Sequence, residues 1–453
     1  MILIESTHNR SVDRTEAFRL FAKQRAEGQV TVPPTLLSPE ERRLYVRQTL
    51  REDHQFRIHN RPEGAQAKFD KLGHSPFTFF RGTALLYYRD YAGTDAELPM
   101  VLAIGDVHPE NFGVMPNADG APFFGLNDFD EAAFAPFSWD VKRGAVGFNL
   151  AVRQQGFSKK NRRRVVKSFV NGYIAGLLDF ARNDREKWHQ WRIDNSPPMI
   201  RNLLESAQLS RRDFLKDLID FDKGCFMPTQ KIVPNGKDVK MFQKAVNAYY
   251  KNNDIKSTTL RSHFKVKDVA IKTGSGTASL GLDRYFVLID GPTENIADDI
   301  ILEFKQARRS ALHGLVPDTP DTAEDQAERI ITSHAIHLVG GDPYYGHTDL
   351  DGKDFLVRER SPYKDEIKVK SLDEEEMQAY AHICGKTLAQ AHARSDEDTG
   401  LTEGSAEATI LASISPRVFK ADVTRFADMA ADRIEVDYKA FLKDHAKGAF
   451  QFV

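Results

Sequence analysis

Apolar and polar residues change their spacing several times along the chain. Ser38-Pro39-Glu40-Glu41 sets a capping serine, a first-turn proline and two acids at the positive end of a helix dipole, which predicts a helix start. Ser75-Pro76 repeats that order ahead of Phe77-Thr-Phe-Phe-Arg-Gly-Thr-Ala-Leu-Leu-Tyr-Tyr. That segment is apolar on most sides and is expected to be one buried helix. Residues 98–104 form a short apolar run and predict a buried strand. Residues 112–115 and 123–126 flank Asn117-Ala-Asp-Gly120, which suits a hairpin.

From residue 139 to about 222 the apolar positions recur at helical spacing, interrupted by Ser196-Pro197-Pro198. At Phe264-Lys-Val-Lys-Asp-Val-Ala-Ile-Lys the spacing becomes alternating. A glycine-rich stretch, Gly274-Ser-Gly276-Thr-Ala-Ser-Leu-Gly281, then leads to strands at 284–290 and 300–305. A helix is expected at about 322–339, a strand at 354–359, a long helix at 374–394 and an acidic, Gly-containing loop at 396–408. Helix follows to 452. The elements predict an α+β protein. Its 453 residues allow two or three domains.

Composition adds exclusions. The hydrophobic fraction is 41%, the charged fraction 28% and the formal net charge −2, so no long-range field draws the chain to nucleic acid or an anionic membrane. No run of about 18 apolar residues predicts a membrane span. The first residues lack a basic, then apolar, leader pattern. Cys225 and Cys384 are remote from each other and match no metal-ligand spacing. The expectation is a cytoplasmic protein.

Three groups of residues carry candidate chemistry. Asp106, His108 and Asn111 follow the apolar run in Gly105-Asp-Val-His-Pro-Glu-Asn111. A turn there can aim a carboxylate and an amide into one cleft, with Asp106 orienting an acceptor hydroxyl and Asn111 ligating a metal. A capped turn would use the same residue types. Asn127-Asp128-Phe129-Asp130-Glu131 crowds three carboxylates that repel unless a cation lies among them, which makes Asp128 the first and Asp130 the second candidate ligand for Mg2+. A solvated acidic turn is the plain alternative. The loop bearing Gly274, Gly276, Ser279 and Gly281 can bring backbone N–H groups to phosphates, and Lys305 on a later strand can pair with them. Glu324 and Glu328 are the candidate partners of Lys305, with Glu328 preferred. Trp139-Asp140-Val-Lys-Arg143 is placed to brace the acidic turn through Asp140, and Arg81 either faces the cleft or caps its own helix. His334 and His337, three apart with no third ligand, and Cys384 read as ordinary helix and core residues.

Together these residues resemble the protein-kinase-like superfamily, above all its aminoglycoside and choline kinase branch. The catalytic loop there reads Gly-Asp-x-His-x-x-Asn, as residues 105–111 do, and the metal-binding Asp lies in an Asp-Phe-Asp/Glu like Asp128-Phe129-Asp130. The chain is also similar to the bacterial family called domain of unknown function 2252. That match rests on Ser75-Pro-Phe-Thr-Phe-Phe-Arg-Gly82, Trp139-Asp-Val-Lys-Arg143, Ser279-Leu-Gly-Leu282 and Leu388-Ala-Gln-Ala-His-Ala-Arg-Ser395, over residues 40 to 445.

The resemblance implies a two-lobed kinase-like fold. Asp106 precedes Gly274 and Lys305, the reverse of the usual order, so it also implies a circular permutation. The expected parts are an N-terminal arm (1–37), a large, mainly helical lobe (38–262), a small β-rich lobe (263–362) and C-terminal helices completing the large lobe (363–453). Residues 357–363 would be the hinge that meets adenine. The reading requires Lys305 to share one cleft with Asp106 and Asp128.

The leading expectation is an ATP- and Mg2+-dependent phosphotransferase with an unknown small-molecule or protein acceptor. The alternatives are nucleotidyl transfer on the same scaffold, a catalytically inactive nucleotide-binding protein, and a metallophosphoesterase suggested by Gly105-Asp-Val-His108.

Overall fold

The computed structural model describes residues 13–29, 33–253, 255, 264–273, 281–293, 295–316, 325–363 and 365–452. They form an α+β molecule with one six-stranded antiparallel sheet, three two-stranded ladders and a large helical body. The order across the main sheet is Gly346–Leu350, Lys353–Glu359, Ile300–Gln306, Arg284–Ile289, Val266–Lys272 and Ile232–Pro234.

Alternation of side chains explains how this sheet is covered on both faces. Val287, Leu302, Phe304, Phe355 and Val357 meet Phe242, Val246 and Tyr249 of the helix Val239–Asn252. On the other face Ala270, Phe286, Leu288 and Ile301 pack with Leu215, Ile219 and Phe226. The sheet unit thus reaches back to about residue 215, well before the expected boundary at 262/263. The apolar spacing in 239–252 is helical, and only its packing reveals that this helix belongs to the sheet.

The second face of the strand Ile300–Gln306 also carries Glu303 and Lys305. Register sets Glu303 opposite Arg358, and Lys305 between Arg284 and Leu356. Glu303 Oε2 accepts from Arg358 Nε at 2.9 Å, and its Oε1 from Arg284 Nε at 2.6 Å. A charged row therefore runs across three strands on the face turned toward the helical body.

In that body the helices Lys159–Asn183 and Glu374–Ala393 pack backbone to backbone. A Cβ on Gly172 would lie 2.0 Å from the carbonyl oxygen of His382, so only glycine permits this crossing. Phe137–Gln154 and the thirty-residue helix Pro416–His445 complete the bundle. No helix among the described residues is long and apolar enough to cross a membrane.

Most expected elements are present, including the capping box that starts Pro39–Asp53 at Ser38. The segment after Ser75 is two helices, Pro76–Gly82 and Ala84–Tyr91, rather than one. Thr83 leaves helical geometry at φ −128°, and its hydroxyl donates to the Phe79 carbonyl at 2.8 Å. Residues 406–413, read as loop, form the helix Ala406–Ser413 capped by Ser405.

A buried arginine ties three helices together. Arg42 donates to Asp90 at 2.5 and 2.7 Å and to Asp437 at 2.6 and 3.0 Å, linking Pro39–Asp53, Ala84–Tyr91 and Pro416–His445. Removing it strands two carboxylates in the interior. Arg42→Ala is expected to cost about 3–5 kcal/mol, read from the chemical denaturation midpoint; a loss under about 1 kcal/mol would contradict this role.

Candidate functional site

Two loops are brought together by short ladders. The strand Met100–Ala103 pairs with Ala133–Pro136, and Phe112–Pro116 pairs with Pro122–Leu126. The second register sets Phe112 against Leu126, so Asn111 faces Asn127 where the hairpin opens. The Asn127 N–H donates to the Asn111 carbonyl at 3.2 Å. Asn111 and Asp128 thus leave one hairpin side by side.

The turn at 104–106 is held from below. Asp140, fully buried, accepts from the N–H groups of Ile104 at 2.6 Å and Gly105 at 3.0 Å. His392 Nε2 donates to the same carboxylate at 3.1 Å, while its Nδ1 accepts from the Tyr173 hydroxyl at 2.8 Å. Gly105 has φ +85°, and a Cβ there would lie 2.1 Å from the Glu131 carbonyl oxygen. Asp140 therefore braces the turn that carries Asp106, rather than the acidic turn.

Asp106 Oδ1 receives Nε and a terminal nitrogen of Arg143 at 2.8 and 2.5 Å. Arg143 is fully buried beneath the rings of Phe80, Tyr87 and Tyr88. Burial pushes the Asp106 carboxyl above its ordinary value, and Arg143 opposes that push. The Asn111 side-chain amide donates to the Asp106 carbonyl at 2.6 Å.

His108 is 2% exposed. Arg81 Nε–H points at its Nε2 from 3.1 Å, and the Glu110 N–H at its Nδ1 from 3.2 Å. Both neighbours are donors, so a second ring proton has no acceptor. Burial and the charges of Arg81 and Arg143 hold the imidazole far below its ordinary pKa. The proton-handling role expected of His108 is corrected to that of a fixed neutral group. Arg81 faces this cluster and pairs with Glu110.

The acidic turn meets the sheet at Lys305. The ammonium pairs with Asp130 and lies 3.8 Å from Asp128 Oδ1, although sheet and turn are far apart in sequence. Burial and the charge of Asp130 push Asp128 upward. Lys305 outweighs burial at Asp130 and holds it below the ordinary carboxylate value. Glu131 turns the other way, pairing with Arg308 and accepting from the Ala311 N–H at 2.5 Å. Arg329 donates to the carbonyls of Asp130 and Ala132 at 2.8 and 2.6 Å, fixing the path of the turn.

A family model described as "Uncharacterized protein conserved in bacteria (DUF2252)" matches residues 60–444. The chain belongs to that family. No curated protein and no solved structure matches it.

In this DUF2252 chain the structure brings together Asp106, His108, Asn111, Asp128, Asp130 and Lys305. Gly274, Gly276, Ser279 and Glu324 lie outside the described residues. Gly281, at φ +79°, packs against the helix Pro62–Leu72, where a Cβ on Gly64 would approach its Cα to 2.5 Å. Glu328 is not the partner of Lys305: it is exposed on the first turn of Gln326–His337, and Asp130 holds the ammonium instead. His337 Nε2 meets the Leu102 carbonyl at 2.7 Å and His334 stacks on Tyr345, so both serve packing. Cys384 is buried.

The expected hinge continues the strand Lys353–Glu359. Beside it, bounded by Met115, Asn127, Glu303, Tyr345, Arg358 and Tyr363, lies a cavity of about 50 Å³. Burial and the charge of Glu359 lift Asp342 at its edge to about 7.

The donor set suits a hard cation. It offers one amide and two carboxylates that repel each other, one of them held up by that repulsion. Among the described residues no three His, Cys, Asp or Glu side chains are grouped as a metal site, so such an ion would complete its shell from water and a ligand's oxygens.

The lysine sets the sign of a pH effect. Because Asp130 titrates below its ordinary value of 3.8, its contribution to stability is present above that value and lost as pH falls through the folded one. In Lys305→Met, burial and mutual repulsion remain and both carboxyls titrate high. The variant's melting temperature should then rise as pH is lowered from neutral to about 5, where wild type gains nothing from this pair. A variant that follows the wild-type pH profile would remove the lysine from this balance.

Proposed function

We propose that the protein is a phosphotransferase that uses ATP and Mg2+ and passes a phosphoryl group to a hydroxyl acceptor, on a circularly permuted kinase-like scaffold. The observation that carries the reading is the meeting of Lys305 with the Asp128–Asp130 turn beside Asp106 and Asn111. A lysine on an inner strand, a hairpin ending in an amide and a carboxylate, and a separate oriented carboxylate are the groups phosphoryl transfer needs, and it needs little else from a protein.

In this reading Lys305 neutralises phosphate oxygens once they displace its contact with Asp130. Asn111 and Asp128, with Asp130 adjoining, would hold the metal, which supplies charge neutralisation on the phosphates when bound. Asp106 accepts a hydrogen bond from the acceptor hydroxyl. Arg143 fixes the carboxylate through Oδ1 and leaves Oδ2 for that contact. Asp140 and the His392–Tyr173 chain keep the turn in place during turnover. His108 facing a guanidinium weighs against a two-metal phosphoesterase centre.

The 50 Å³ cavity beside residues 359–363 falls short of the roughly 300–1,000 Å³ of ordinary ligand sites. Nucleotide entry therefore requires the sheet and the helical body to part, with Tyr345 and Arg358 giving way. Mg-ATP at about 100 times its Kd should stabilise the wild type by about 2.7 kcal/mol in a thermal melt. Asp128→Ala and Lys305→Ala should abolish the shift. Asp106→Asn should keep it and slow ATP consumption by roughly 100-fold or more. No shift at millimolar Mg-ATP, or an undiminished shift in Asp128→Ala, would overturn the proposal.

A further inference from the structure

The largest cavity described, about 490 Å³, lies on the far side of Glu131 from the Lys305 pairs, between the helical body and the segment that follows Gln306. Neither Asp106 nor Lys305 lines it. Its volume is that of ordinary small-molecule sites. Phe56, 46% exposed, and Leu85 give it an apolar wall. The remainder is crowded with guanidiniums: Arg57, Arg89, Arg308 and Arg309.

Acids reach these cations but are shared. Glu52 is divided between Arg14 and Arg89, and Arg309 takes Asp13 at 3.0 Å. Arg308 spans Asp53 at 3.2 Å and Glu131. Five guanidiniums, counting Arg14, thus meet four carboxylates, and Lys68 is buried beneath them in contact with the same field. Arg57, only 2% exposed, is drawn down to about 10 by burial and by the charge of Arg308, so this buried group carries positive charge at a cost. An isolated cationic excess in a cavity is relieved by an anion, and guanidinium forks suit phosphoryl and carboxylate oxygens.

We propose that this cavity binds a small organic anion, its phosphoryl or carboxylate head on Arg57, Arg308 and Arg309 and its apolar body against Phe56 and Leu85. The site is separate from the proposed nucleotide cleft and does not depend on that reading. Arg308 joins the two, because the guanidinium that lines the cavity also holds Glu131, next to Asp130.

Calorimetric titration of the full chain with phenyl phosphate tests the site, with benzyl alcohol as the uncharged control and inorganic phosphate and benzoate as separate arms. Phenyl phosphate should bind and benzyl alcohol should not, and comparison of the two anion arms tells phosphoryl from carboxylate recognition. Arg309→Gln, at a half-exposed position, should weaken binding by roughly tenfold. Leu85→Trp, which fills the cavity, should abolish it, with thermal melts confirming that both variants fold. Lys305→Ala should bind as wild type does. Absence of binding at millimolar phenyl phosphate, or equal binding by wild type, Arg309→Gln and Leu85→Trp, would overturn the site. Loss of binding in Lys305→Ala alone would move the anion to the nucleotide cleft and overturn it as well.

Discussion

One ammonium organises the centre of this protein. Lys305 leaves the inner face of the six-stranded sheet and reaches Asp130 and Asp128 on a turn of the helical body. Two carboxylates two residues apart in a largely enclosed space would each resist ionising, so the turn is held charged by a group from another element. Every nearby device keeps that meeting in register. Arg329 grips the carbonyls of the turn, Arg308 draws Glu131 aside, and Asp140 fixes the backbone that presents Asp106. The same contact can be exchanged for a ligand's phosphates and a cation, which is what gives it a functional reading.

The sequence made a good part of this arrangement legible. Apolar runs ending in Asp-x-x-x-x-Asn and in Asp-Phe-Asp are local signals, and a hairpin is a local structure, so Asn111 and Asp128 could be paired from spacing. The strands at 266–272, 284–289 and 300–306 alternate, so Lys305 could be assigned to a strand. Harder to read were long-range choices among similar residues. Glu328 and Asp130 are both acids that chain composition permits as partners of Lys305, and only the packing of Gln326–His337, which turns Glu328 outward, separates them. Arg143 lies in a motif whose functional weight was placed on Asp140, and nothing local shows that its guanidinium tunnels under three aromatic rings to Asp106. The helix Val239–Asn252 has ordinary amphipathic spacing, which says that it packs but not against which body.

The described architecture also separates what is rigid from what must move. The turn at 104–106 is tied through buried hydrogen bonds to Asp140, His392 and Tyr173, and the bundle beneath it is closed by a glycine-mediated helix crossing. The cleft beside residues 359–363 is nearly shut, by the His334–Tyr345 stack and the Glu303–Arg358 pair among others. Chemistry on this scaffold therefore pairs a fixed acceptor-side carboxylate with a nucleotide side that opens, and the shared Arg308 is the nearest link by which the larger cavity reaches the acidic turn.

A structure of the full chain soaked with Mg2+ and a non-hydrolysable ATP analogue tests the central claim most directly. The account predicts the lysine ammonium of residue 305 within about 3 Å of a phosphate oxygen, released from Asp130, with the cation on Asn111 and Asp128. An analogue bound elsewhere, or a cleft in which Lys305 keeps Asp130 while the nucleotide is in place, would contradict it.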